Sequence, residues 1–180
     1  MMTRDEAITL IQNKVPNDNL CRHMIAVGAI MRHFASRFSA DPELWEITGI
    51  LHDIDLGTTD DPQLHGNLGA EWLGAMGMPP AMLQAVRAHA GHVPCESPLD
   101  TVLLAGDQLS GLITACALIK GRLLANVTAD TVRKRFKEKR FAAGADREMI
   151  RLCETVGIPL DEFIAEGVTA MQRVAHDLGL

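Results

Sequence analysis

PLDTVLLAGDQLSGLITACALIK, residues 98–120, reads either as a membrane span or as the core helix of a globular protein. Its length approaches the roughly 20 apolar residues that a bilayer requires. Asp107 and Gln108 stand at its centre, however, and a carboxylate there would cost about 3 kcal/mol or more in hydrocarbon. Leu99, Val102, Leu103, Gly106, Leu109 and Ile113 share one helical face. The stretch is therefore read as a buried core helix, and no membrane is expected as a partner. A carboxylate in the middle of such a helix must be neutralised by a proton, a cation or a metal.

The same helical period continues on either side. From Leu20, the residues Met24, Val27, Met31, Phe34 and Phe38 recur at three- and four-residue steps, and His23 shares a side with Val27, Ile30 and Phe34. His23 is thus expected to point inward. Asp41-Pro42 supplies a cap followed by a first-turn proline, after which Leu44, Ile47 and Leu51 mark a helix that delivers His52 and Asp53 at its end. The polar run GTTDDPQLHG, residues 57–66, separates it from a short helix through Leu68, Trp72, Leu73 and Met76. Pro79-Pro80 opens another through Met82, Leu83, Val86 and His89, which Gly91 and Pro94 stop. The last third predicts helices from Thr128 to about Arg140, from Arg147 to Val156, and from Pro159 to Leu178. No segment alternates with period two over a useful length. The expectation is an all-α bundle of about seven or eight helices in a single domain over 1–180, with a core at about 20–120 and a helical extension at about 126–180.

Composition excludes several classes. A net charge of -6 argues against a general nucleic-acid binder, since such proteins present a basic surface to phosphates. Cys21, Cys95, Cys116 and Cys153 form no CxxC pair, so neither a zinc knuckle nor a disulfide framework is indicated. The opening MMTRDEAITLIQNK lacks the uninterrupted apolar core of a signal peptide. A cytoplasmic protein is expected.

His23, the adjacent pair His52-Asp53, and Asp107 form an H…HD…D series with His65 and His89 between its last two elements. Neutral imidazole and ionised carboxylate are the electron-rich groups that divalent transition metals take at neutral pH. A lone inward histidine is more often a hydrogen-bonded core residue, and a lone buried aspartate an ion-pair partner. The joint spacing, with an HD pair at a helix end where both side chains can reach one point, favours a metal centre.

On these residues the chain resembles the HD-domain superfamily of metal-dependent phosphohydrolases, all-helical proteins with an H…HD…D pattern. The resemblance covers about residues 20–120 and implies His23, His52, Asp53 and Asp107 as ligands of one metal. HGNLGAEWL, residues 65–73, and RAHAGH, residues 87–92, look like the extra histidine positions of dinuclear members. By that resemblance His65 and His89 bind a second ion and Asp53 bridges the two. The run HDIDLG, residues 52–57, carries Asp55 where an HDIG form has glycine. The stretch VRKRFKEKRFAAGADRE, residues 132–148, is similar to the tail of small bacterial HD proteins.

The expected function is hydrolysis of a phosphate ester or anhydride, of a nucleotide or another small phosphorylated metabolite, through a hydroxide held on the metal. Iron, manganese, zinc, cobalt and nickel all suit the ligand set. Asp53, Asp55 and His92 are the candidate catalytic residues, Asp55 as general base or as a partner orienting a ligand, and His92 as substrate contact or general acid. Lys137 and Lys139, in a basic cluster from Arg133 to Arg140, are candidates to hold substrate phosphate over the metals. His33 and His176 are expected at the surface. Two alternatives stand beside this reading. One is a di-iron oxygenase, which would consume oxygen when reduced, and the other is a non-catalytic ligand-binding module braced by its metal.

Overall fold

Side-chain caps start most of the helices. In the computed structural model, which describes residues 2–180, Thr3 and Glu6 close a reciprocal capping box on α1 (Arg4–Lys14). Asn17 caps α2 (Asp18–Ala35), and Asp41 caps α3 (Pro42–Leu51) with proline in its first turn. α4 (Asn67–Ala75) and α5 (Pro80–His89) follow, and Ser97 with Asp100 closes a second capping box on α6 (Pro98–Ile119). Thr128 and Asp146 cap α7 (Ala129–Phe136) and α8 (Arg147–Arg151), which precede α9 (Leu160–Arg173) and α10 (Ala175–Leu178). No strand occurs among the described residues, and the fold is the all-α bundle expected.

α2 and α6 form its axis. α2 packs on α3, α6 and α9, while α6 packs on α2, α5, α7, α8 and α9. Met24, Val27, Ile30, Met31 and Phe34 of α2 are all buried. α2 and α3 meet backbone to backbone, because a Cβ on Gly49 would lie 2.7 Å from the Gly28 Cα and N. Only glycine permits that approach, and it draws His23 on α2 and His52 at the end of α3 toward each other. Among the described residues α6 alone is long and apolar enough to cross a membrane, and 56% of its apolar window is buried inside the bundle.

The structure has ten α-helices among the described residues, more than the seven or eight expected. α1 is the one the period alone does not announce; its sequence signal is the Thr3-x-x-Glu6 capping box. The helix expected to reach Arg140 ends at Phe136. There the chain wraps the Arg147 guanidinium, which donates to the carbonyls of Phe136, Phe141, Ala142 and Ala145. The segment from Arg147 divides into α8 and a 3-10 turn (Leu152–Val156), stopped by Gly157 at φ 78°. A kink at Val174 divides the last helix into α9 and α10.

Candidate metal centre

His52 follows the last residue of α3, and Asp53 lies beyond it in a run of turns. α2 delivers His23, α5 delivers His89 as its final residue, and α6 delivers Asp107 from its middle. His65 comes from the loop just before α4. Four imidazoles therefore reach one carboxylate from four different elements.

Each ring is held by its Nδ1. As neutral imidazoles, His52 donates from Nδ1 to the Gly49 carbonyl at 2.8 Å and His89 to the Val86 carbonyl at 2.6 Å. His65 donates to Asp55 Oδ1 at 3.0 Å. His23 Nδ1 lies 3.0 Å from Ser110 Oγ, whose hydroxyl in turn donates to the Asp107 carbonyl at 2.8 Å. With every Nδ1 committed, Nε2 is the position of each ring that faces the carboxylates, bearing a proton toward them without a metal and open to give its lone pair to one. This is the arrangement in which an acceptor fixes the tautomer of a metal-ligating histidine.

All four Nε2 atoms face Asp53, and they divide between its oxygens. His23 and His52 lie 3.7 and 3.3 Å from Oδ2, whereas His65 and His89 lie 3.5 and 3.1 Å from Oδ1. Asp107 Oδ1 joins the first set, 3.0 Å from His23 and 3.9 Å from His52. His23, His52 and Asp107, and likewise His52, Asp53 and His89, offer ligand atoms within 4.8 Å of one another. The His52 Nε2 is buried without a hydrogen-bond partner. A buried, unpartnered ring nitrogen facing two carboxylates fits a cation, because an unmet polar atom is otherwise costly.

Without a metal, protons on the rings balance the carboxylates. Burial alone would lower the His52 pKa, but Asp53 and Asp107 raise it to about 9. Burial would raise Asp53, yet His52 and His89 hold it well below the usual carboxylate range. Asp107 is also lowered against its burial, chiefly by the hydrogen bond to His23. The carboxylates thus stay ionised inside the bundle.

The HD domain model matches residues 20–148 of the chain. The chain belongs to the HD-domain family. That family is one of metal-dependent phosphohydrolases, and the metal-binding histidine–aspartate pattern is its chemistry. The match runs past residue 120 and takes in the segment from α7 to α8. Relatives include ribonuclease Y of Chlorobium luteolum, 29% identical over 119 residues, which are 62% of this chain and 23% of that protein. Ribonuclease Y of Campylobacter jejuni subsp. doylei is 32% identical over 93 residues, 51% of this chain and 18% of that protein. The chain thus spans about a fifth of the length of these relatives. No solved structure matches it.

Within the HD fold the other expected site residues take different places. Asp55 is fully buried behind His65, its Oδ1 accepting from the His65 ring and its Oδ2 from the N–H groups of Gly66 and Gly69 at 2.7 and 2.9 Å. With both oxygens engaged away from solvent, it has none left to act as general base; it holds the His65 ring in place. His92 donates from Nε2 to the His65 carbonyl at 2.7 Å and so braces the same loop. Lys137 and Lys139 line a groove with Arg133, Phe136, Arg151 and Leu160. The cavity at His23 and Asp107 is lined instead by Gln108, Ala142, Gly144 and Ala145. The basic run does return to the centre, but through its small residues, because the turn around Arg147 carries its lysines toward α9. His33, expected at the surface, is half-buried against Glu166 at 2.5 Å, and His176 is exposed.

Ser110 and Gln108 carry no signal of their roles in the sequence. Ser110 fixes the His23 ring. Gln108 donates to Asp107 Oδ2 at 2.7 Å and accepts from the Asp146 N–H at 2.9 Å, tying the second buried carboxylate to the start of α8.

Proposed function

We propose that this protein hydrolyses a phosphate ester or anhydride at a two-ion centre, with His23, His52 and Asp107 on one divalent transition metal, His65 and His89 on the other, and Asp53 shared. The observation that carries the reading is the division of Asp53, one oxygen toward each histidine pair. When bound, such ions supply an activated water and a clamp for phosphoryl oxygen. The chain's own residues do the positioning. The Gly49 and Val86 carbonyls, Asp55 and Ser110 hold each ring with its Nε2 forward, so the ligands need no rearrangement. His92 keeps the His65 loop in register through the backbone. Residues 1–180 act as one unit in this reading, since Gln108 joins α6 to the segment before α8.

The substrate is a nucleotide or an RNA end. The ribonuclease names of the relatives support the nucleic-acid half of that statement. The net charge of -6 weighs against non-specific binding along a polynucleotide, not against an enzyme that takes one terminal phosphate. Metal-reconstituted protein is expected to release phosphate or nucleotide from a panel of aryl phosphates, mononucleotides and short oligoribonucleotides. No turnover of any member, with oxygen uptake by the iron form instead, would overturn the proposal.

A further inference from the structure

From Asp107 the cavity runs outward over His23 and Gly111. A second cavity shares His23 and Gly111 with it and lies between α2, the end of α6 and Leu178 of α10, with a volume of about 460 Å³. That lies within the roughly 300–1,000 Å³ of small-ligand pockets. Ala26, Ala115, Leu118 and Leu178 give this stretch an apolar lining, to which Asn19 and Thr114 add an amide and a hydroxyl. Arg22 and Arg122 complete it.

These two arginines differ from most others in the protein. Arg4, Arg32, Arg37, Arg133, Arg135 and Arg151 all pair with carboxylates. Arg22 reaches only Asn19 Oδ1, at 3.4 Å, and among the described residues neither it nor Arg122 has a carboxylate within ion-pair distance. Arg122 has φ 62° in the turn that stops α6, where its N–H donates to the Ala117 carbonyl at 2.9 Å and holds it at the groove's edge. In a chain of net charge -6, two unpaired guanidinium groups beside one groove mark a place for anionic charge.

We propose that this groove holds the leaving group of the substrate, and that the leaving group is a nucleoside carrying a second phosphate. The scissile phosphate lies at the His23–Asp107 end, the base lies against the apolar lining, and the second phosphate meets Arg22 and Arg122. A base has an apolar face and a polar edge, which suits an aliphatic wall interrupted by an amide and a hydroxyl. Guanidinium forks match phosphate oxygens in pairs. A free nucleoside bisphosphate and the end of an RNA strand present the same chemistry. The scissile end of this inference rests on the phosphohydrolase reading; the arginine end does not.

Gly111 gives a clean test, because a Cβ added there meets no atom within 4 Å. Gly111→Leu therefore narrows the groove without disturbing the core. The probes are p-nitrophenyl phosphate, AMP, adenosine 3′,5′-bisphosphate and a 5′-phosphorylated tetraadenylate. The wild type is expected to favour the bisphosphate over AMP by about tenfold in kcat/KM, and Arg122→Met to erase that preference. Gly111→Leu is expected to lower the ratio of AMP to p-nitrophenyl phosphate turnover by about tenfold. A larger rate with tetraadenylate than with bisphosphate assigns the groove to an RNA end, and the reverse assigns it to a free nucleotide; both support it. Ratios equal in the wild type and both variants would overturn the groove and leave the phosphohydrolase reading standing. Calorimetry of bisphosphate binding to chelator-treated protein separates the two claims further. Binding that Arg22→Met and Arg122→Met weaken, without turnover by the metal-loaded wild type, keeps the groove and defeats the hydrolase; no binding and no bisphosphate preference defeats the groove.

Discussion

Glu46 on α3 and Asp53 just beyond its end are equally buried, with 6% and 9% of their side-chain surfaces exposed, yet they are neutralised in opposite ways. Glu46 meets two permanent cations, Arg4 at 3.0 Å and Arg32 at 2.6 Å. Asp53 meets four imidazoles whose outer nitrogens are already committed to acceptors. Both depend on α2, which supplies Arg32 to one and His23 to the other. Guanidinium groups use up a carboxylate's charge and leave a structural ion pair. Imidazoles carry charge only while protonated, and a divalent cation on the same Nε2 atoms would take the protons' place. Burial alone does not make a site; the partner chemistry does.

The difference is open to attack at several points. Asp53→Asn keeps the shape but removes the shared charge, and hydrolysis should fall by about a thousandfold or more, a loss of the size that follows removal of a main charge-stabilising group. Circular dichroism should meanwhile show the helices intact. Chelation should abolish turnover and cost about 3 kcal/mol of stability when free metal had stood at a hundred times its dissociation constant, both restored by added divalent metal. Thermal melts with and without metal would show it. Asp55→Ala frees the His65 ring and should weaken metal affinity by about 10- to 100-fold, read by competitive titration with a chelating dye. At the other carboxylate, Glu46→Gln should cost only about 1–2 kcal/mol in denaturant unfolding, because Arg4 and Arg32 are partly exposed and can turn to water. Its metal content should match the wild type, and loss of metal would erase the contrast between the two clusters.

The smallest effect concerns burial without any partner. Burial pushes the Cys116 and Cys153 thiols up, to about 11 and about 12, from an ordinary value of 9.0. An unfolded chain deprotonates first, so the stability these thiols contribute is whole below pH 9 and is lost as pH rises through 11 to 12. Replacing both with alanine should flatten the fall in stability over that range. Alkylation at pH 8 should reach the half-exposed Cys95 before either of them.

Much of the fold and of the metal centre is legible in the chain. Period three to four marks α2, α3, α5 and α6 directly, and the same period turns His23, His89 and Asp107 inward. Asp107 is the plainest case, since a carboxylate amid the apolar residues of α6 must be neutralised by a proton, a cation or a metal. What the pattern hides depends on backbone groups and on contacts far apart in sequence. The carbonyls of Gly49 and Val86 that fix two rings belong to no side chain. The bond from Asp146 to Gln108 joins positions 38 residues apart. The Arg147 guanidinium that ends α7 and swings Lys137 and Lys139 away acts through four carbonyls that any sequence would provide.

Metal content tests the central claim, that one carboxylate is shared by two ions. Inductively coupled plasma mass spectrometry on protein reconstituted with manganese or iron should find about two ions per chain in the wild type. In Asp53→Asn both should be lost, and in His65→Ala only the one on the His89 side. Equal metal content in the wild type and Asp53→Asn would contradict the account.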